Sequence, residues 1–308
     1  MNMKKTPYIP KITSNFWHIS NNPDLGEITT DRQEVVDHTI FQSRDGKWHL
    51  WACIRGTKVG RLLFRWEGES LESEYWEPKG IAMRADKTHG ESIDDWNGEE
   101  WIQAPYVFID NDKYYMVYGG HSTETGECQI CLAYSLDGGR TFQRYRNKQG
   151  YSRIFIGPGE ARDPMIIKID NLYYCYYAGG NLRDKGTCKV YCRTSPDLIH
   201  WSVEIPVCWG GSAGDGPWSA ECPFVVFKDG YYYLFRTSRY QFPSLTHVYR
   251  SDDPLDFGLD TDVKKITTLQ VAAPEIIRTE GGYFISTVED LKGGVRLAKL
   301  GWEIDKKL

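Results

Sequence analysis

A chain of 308 residues suits one large domain or two small ones, and 41% hydrophobic with 26% charged residues is the balance of an ordinary soluble globular protein. A net charge of −5 with no basic run argues against a nucleic-acid partner, and no apolar stretch is long enough to span a membrane. The aromatic content is high, with 20 Tyr and 11 Trp; this suits a β-rich fold and also a carbohydrate site, where flat rings stack on sugar faces.

The chain opens on Met1-Asn2-Met3-Lys4-Lys5, two lysines with no apolar run behind them. The expectation is a cytoplasmic protein, or a periplasmic or secreted one if a signal peptide has been removed. From residue 37 onward one phrase recurs five times: Asp37-His38-Thr39-Ile40-Phe41, Ala104-Pro105-Tyr106-Val107-Phe108, Asp163-Pro164-Met165-Ile166-Ile167, Cys222-Pro223-Phe224-Val225-Val226 and Ala273-Pro274-Glu275-Ile276-Ile277. A turn rich in Asp, Asn and Gly follows each one, such as Arg44-Asp45-Gly46 or Lys228-Asp229-Gly230. An aromatic strand comes next, such as Leu172 to Tyr177 or Tyr231 to Phe235. Third strands are predicted at Cys128 to Ser135 and Val190 to Thr194, and a shorter fourth strand carries Phe142 or Trp201.

Repeats spaced by about 50–70 residues, four strands each, with almost no helix signal, predict an all-β fold. The expected architecture is a five-bladed β-propeller with four antiparallel strands per blade. It forms one domain over residues 1–308, with blades starting near residues 37, 104, 163, 222 and 273. Asn15-Phe16-Trp17 and Leu297-Ala298-Lys299-Leu300 should meet in one sheet. A β-sandwich of similar strand count fits the regular repeat less well.

In such a ring the first strand of each blade lines the axis, so Asp37, Asp163 and Glu221 should surround one funnel. Two carboxylates are what glycosidic-bond cleavage needs, one to protonate the leaving oxygen and one to attack or to activate water. A third can tune the first by like-charge proximity. Ala104 and Ala273 would leave room at the same mouth. Gln103, equivalent to Arg162 in the repeat, should face the funnel. Trp218, in the Gly-rich loop from Gly210, is the best sugar platform, with Trp51, Trp101, Trp209 and Tyr240 behind it. Arg239, Arg236 and His38 are further contact candidates. Glu91 and Asp94 belong to a loop expected to reach over the funnel. Ser135 to Phe142 fits the Asp-box turn of sialidases, a folding device at a blade's third-to-fourth strand turn.

The words Arg162-Asp163-Pro164 and Glu221-Cys222-Pro223 resemble the "RDP" and "EC" motifs of glycoside hydrolase family 32, the β-fructosidases. The order of acids also resembles family 43, the arabinofuranosidases, xylosidases and arabinanases. The resemblance spans roughly Val35 to Leu300. It implies that Asp37 is the base or nucleophile, Asp163 the supporting acid, Glu221 the general acid, and that Arg162 binds a sugar hydroxyl or holds a carboxylate. The Trp-Met-Asn-Asp-Pro phrase of the fructosidases and their extra C-terminal sandwich have no counterpart here. The function expected is therefore cleavage of a terminal glycosidic bond in a furanoside or pentopyranoside. The alternatives are a non-catalytic carbohydrate-binding propeller and a fructosidase-type hydrolase. The partner is an oligosaccharide or small glycoside. No cofactor is required, though relatives with a channel histidine leave room for a structural calcium or sodium ion near His38, His121 or His247.

Of eight cysteines, Cys128/Cys131 and Cys188/Cys192 have zinc-like spacing, but both pairs lie within predicted strands with no turn between partners. They read as core thiols, and the lack of a disulfide pattern favours a reducing compartment.

Overall fold

A computed structural model describes residues 5–92, 99–122, 127–180, 187–288 and 290–306. Apart from three short 3-10 turns, the regular structure among these residues is all β. The strands form antiparallel meanders in chain order. Arg162–Ile169, Leu172–Gly179, Lys189–Ser195 and Ile205–Cys208 make one four-stranded sheet. Glu221–Lys228, Tyr231–Arg239, Leu245–Ser251 and Lys265–Leu269 make a second. A nine-stranded sheet holds two such meanders, beginning at Glu34–Gln42 and at Glu100–Asp110. They are joined by a two-residue parallel bridge, Gly60 to Glu100 and Arg61 to Trp101.

The remaining sheet contains Ile276–Thr279, Gly282–Thr287 and Arg296–Ile304, completed by the N-terminal strand Tyr8–Ile12. Tyr8 pairs with Ile304 and Ile12 with Leu300, while Trp17 pairs with Leu297. The two ends of the chain thus meet in one sheet, as the sequence suggests. Trp302 packs edge-on against Tyr233 and Tyr283, and the Tyr8 N–H donates to the Tyr233 hydroxyl. The closing strand is therefore tied to the neighbouring sheet.

The second strands are buried on both faces, which is why Tyr173 to Tyr177 reads as a run of aromatics rather than an alternation. The hairpin turns use left-handed backbone at Asn111, Asp112, Asp170 and Asp229, as Asp- and Asn-rich turns require. Asp137 accepts the backbone N–H groups of Arg140 and Thr141, so the Asp-box segment is a self-bonded turn. Asp197 does the same for Ile199 and His200 at the equivalent place in the next sheet, a second copy missed in the sequence. The fourth strands fall later than expected. Phe142 precedes a two-residue strand, Gln143–Arg144, and Trp201 lies in the turn before Ile205–Cys208.

The repeated phrase has one backbone form. Ladder pairing is interrupted between Val36 and His38, Gln103 and Tyr106, Arg162 and Met165, and Glu221 and Phe224. Ala104, Asp163, Cys222 and Ala273 all have φ between 45° and 57°. A bulge with a left-handed residue bends the strand and re-aims its side chain. The same turn of the backbone is made at four openings, and their residues all border one narrow axial channel.

Candidate active site

At one mouth of that channel lies a cavity of about 680 Å³. Asp37, Asp163, Glu221, Arg162, Gln103, Trp218 and Arg239 all border it. Trp101 and Tyr240, the second-rank sugar candidates, border it as well. His38 does not: it lies inside the axial channel, buried, with Nε2 2.7 Å from the Ser286 hydroxyl. The bulge explains this, since neighbouring residues there face different spaces and only Asp37 turns outward. Ala104 and Ala273 border the channel rather than the cavity.

The three carboxyls differ in surroundings. Asp37 accepts a hydrogen bond from the Tyr240 hydroxyl at 2.8 Å, and the Cys222 thiol lies 3.4 Å from the same oxygen. Asp163 is buried and accepts the Cys222 backbone N–H at 3.0 Å. Asp37, Asp163 and Cys222 each place one polar atom within 4.8 Å of the others. Burial, then the charges of Asp37 and Glu221, push the Asp163 carboxyl well above the usual range. Two carboxyls so close favour holding one proton between them, and the burial of Asp163 disfavours its charged form.

Glu221 is held by Arg162 through both oxygens, with Arg162 Nε at 3.2 Å from Oε2 and Nη2 on Oε1. This two-pronged pair is buried on both sides. The remaining Arg162 donors go to the carbonyls of Glu160 and Pro217, and its guanidinium lies 5.5 Å from the Trp218 ring. Trp218 is 61% exposed, which leaves its other face free for a ligand. Its loop is braced from below. Arg236, fully buried, donates to the carbonyls of Ser219, Gly210 and Gly214. Arg236 is therefore a clamp on backbone rather than the sugar contact expected.

Other expectations fall outside the cavity. Trp51 is buried against Phe142, and the Trp209 ring is covered by Lys189. Glu91 is fully buried and bound by Arg144, Tyr118 and Ser152, so it anchors its loop rather than reaching over the funnel. Asp94 lies outside the described residues. His38, His121 and His247 do not converge: His121 stacks on Trp101, and His247 sits between Ser238 and Thr268. All eight cysteines are free, and no zinc-type cluster of them occurs among the described residues.

Two features were not read from the sequence. The Tyr240 hydroxyl is bound to Asp37, a contact between residues far apart in the chain. The fifth repeat also carries an acid, Glu275, two positions beyond its opening Ala273. It is buried in the channel, accepts the Ile40 N–H at 2.6 Å, and burial pushes its carboxyl up to about 8.

Residues 35–227 match the glycosyl hydrolases family 32 N-terminal domain. No curated protein sequence matches the chain. Its structure is similar to a thermostable family-43 glycoside hydrolase, at 20% identity over 94% of each chain with a TM-score of 0.64. It is also similar to an α-L-arabinofuranosidase from Lactobacillus brevis, at 11% identity over 88% of this chain and 92% of that one, TM-score 0.63. A sucrose-6-phosphate hydrolase from Lactobacillus gasseri is similar at 16% identity over 88% of this chain and 59% of that one, TM-score 0.61. The fold is thus that of the arabinanase- and invertase-like propellers.

Proposed function

Because this chain belongs to the glycosyl hydrolase family 32 N-terminal domain family, a family of glycosidases, we propose that residues 1–308 form a single five-bladed propeller that removes a terminal sugar from a furanoside or pentopyranoside. Five openings around one channel support the blade count, with the nine-stranded sheet dividing at its two-residue bridge. The observation that carries the chemistry is the meeting of Asp37, Asp163 and Glu221 in one cavity, each in a different electrostatic setting.

In this reading Asp37 is the nucleophile or base. Tyr240 ties up one of its oxygens and leaves the other for the anomeric carbon or for water. Asp163, whose carboxyl burial and neighbouring charges push well above the usual range, stands beside it and would limit the negative charge gathered there. Glu221 is the general acid. Both its oxygens face Arg162, so that pair must open before Glu221 can turn a hydroxyl toward a leaving group. A sugar hydroxyl drawing Arg162 away would couple binding to that step. Trp218 and Arg239 would hold the sugar at the rim, with Gln103 deeper in the wall. The reading needs no cofactor. A cation in the axial channel would rest on His38 Nδ1, which is buried without a partner.

The α-L-arabinofuranosidase among the similar structures supports the pentose assignment. The family match itself favours a fructosidase-type hydrolase as second reading. A panel of nitrophenyl furanosides and pyranosides, with sucrose and short fructans, separates them. Asp37→Asn and Glu221→Ala should each lower turnover by about 10²–10⁴-fold. Undiminished turnover in both variants would sink the assignment, and a parent that binds sugars without cleaving any of them would be a binding propeller.

A further inference from the structure

We propose that one wall of the cavity, built by Arg55 and Arg61, is a subsite for an anionic group carried by the saccharide, a carboxylate or a phosphate. The saccharide in this statement rests on the glycosidase reading; the anion site rests on its own geometry.

Arg55 and Arg61 stand near the ends of the adjacent strands Trp48–Thr57 and Gly60–Gly68. Ile54 pairs with Leu62, so the next residues outward on the two strands are Arg55 and Arg61. The ladder is interrupted between Ile54 and Thr57, so the two arginines are not a directly opposed pair. Yet both guanidinium-bearing side chains border the same cavity, and two like charges at one wall favour an anion there. The pair is not neutralised. Arg55 is bound by Glu34 at 2.8 Å, but among the described residues no carboxylate pairs with Arg61.

Arg61 is instead held by neutral groups. Nη1 donates to the Gln103 side-chain oxygen, and its guanidinium lies 4.2 Å from the centre of the Trp101 ring. Trp101 Nε1 donates to the same Gln103 oxygen at 3.2 Å. One amide thus fixes both the ring and the guanidinium stacked on it. Arg61 spends one of its five N–H groups on this scaffold and keeps the others for a planar oxyanion. Guanidinium stacked on an aromatic face and pre-set as a fork suits carboxylate or phosphate far better than a hydroxyl. Gln103, expected from the sequence to face the funnel, is on this view the residue that aims Arg61.

Calorimetric titration of the intact protein at low and high salt tests this. The ligands are glucuronate, galacturonate, fructose 6-phosphate and inorganic phosphate, the sugars each paired with the neutral form. The anionic sugar of the matching type should bind at least tenfold tighter than its neutral partner, with the advantage shrinking in high salt. Arg61→Met should remove the advantage, and Arg61→Lys should restore little of it, because the charge returns without the fork. Preference for a uronate or for the sugar phosphate identifies the source of the anion. Equal affinity for charged and neutral sugars in the wild-type protein overturns the proposal, whatever the variants do. So does binding of inorganic phosphate with no preference for charged sugars. Hydrolysis of neutral glycosides without anion preference leaves the glycosidase reading and removes this one. Anion-dependent binding without hydrolysis does the reverse.

Discussion

The hydroxyl of Tyr240 is the contact on Asp37 that a substitution can remove most cleanly. Tyr240→Phe should lower kcat by about 10–100-fold with little change in KM, the loss expected for a hydrogen bond to a charged group worth about 1.5–3 kcal/mol; an unchanged kcat would separate Tyr240 from the chemistry. Arg162 is more costly to disturb. Arg162→Met leaves the buried Glu221 carboxylate without a partner, and breaking such a pair costs about 3–5 kcal/mol. Urea unfolding should show that loss, with Arg162→Met/Glu221→Met recovering part of it. Glu275 makes a prediction in pH. Its carboxyl is raised in the folded protein, so the folded state holds the proton longer than the unfolded state does. Its contribution to stability is complete below the usual glutamate range and is lost as pH rises toward and through about 8. Glu275→Gln should flatten the fall in melting temperature between pH 6 and pH 9. Asp163, Glu221 and Arg162 were legible because short words of sequence carry them, and Asp37 because it opens the first repeat. Arg61 was not, and Tyr240 was read as a sugar wall without its bond to Asp37, because a side chain from another part of the chain gives each its meaning. Glu275 was passed over because the repeat was aligned on its first letter, whereas the third letter, Tyr106, Met165, Phe224 or Glu275, also borders the channel.

At the scale of the strand, the repeated phrase is a backbone device before it is a chemical one. Four residues with side chains hold a left-handed conformation that costs L-residues roughly 1–2 kcal/mol each. At Asp163 and Cys222 the bend presents groups of the site. At Ala273 it presents only a methyl group in the channel. Ala273→Gly keeps the N–H bonded to Thr237 and should leave the protein as stable or up to about 1 kcal/mol more stable, measured by denaturant midpoint. The same exchange at Asp163 would remove a carboxyl, so strain and function are separable along one motif. The turns were readable because Asp, Asn and Gly at hairpin tips have few other uses. The fourth strands were not, because Phe142 and Trp201 mark the packed turn before each strand rather than the strand itself.

At the scale of the molecule, the fold class and the meeting of the chain ends were visible in the spacing of five phrases, which local propensity alone could not have supplied. The site depends on that meeting only at a distance. The strand Tyr8–Ile12 touches none of the carboxyls, yet it completes the last sheet, whose partner strands carry Ser286 and, just before them, Glu275. A chain lacking residues 1–13 should therefore lose cooperative unfolding and activity together, as followed by circular dichroism and turnover on the best substrate of the panel. The pairing of Tyr8 with Ile304 also sets an order in time. On a ribosome adding about 5–20 residues per second, the first strand waits of the order of 15–60 s for its partner to be made. Its side-chain neighbours around Tyr233 and Lys228 are made before then, but its backbone has no ladder partner until the end. The final seam is a long-range contact of the slowest kind to find, which makes the newborn chain, more than the finished one, the form that a chaperone would need to shield.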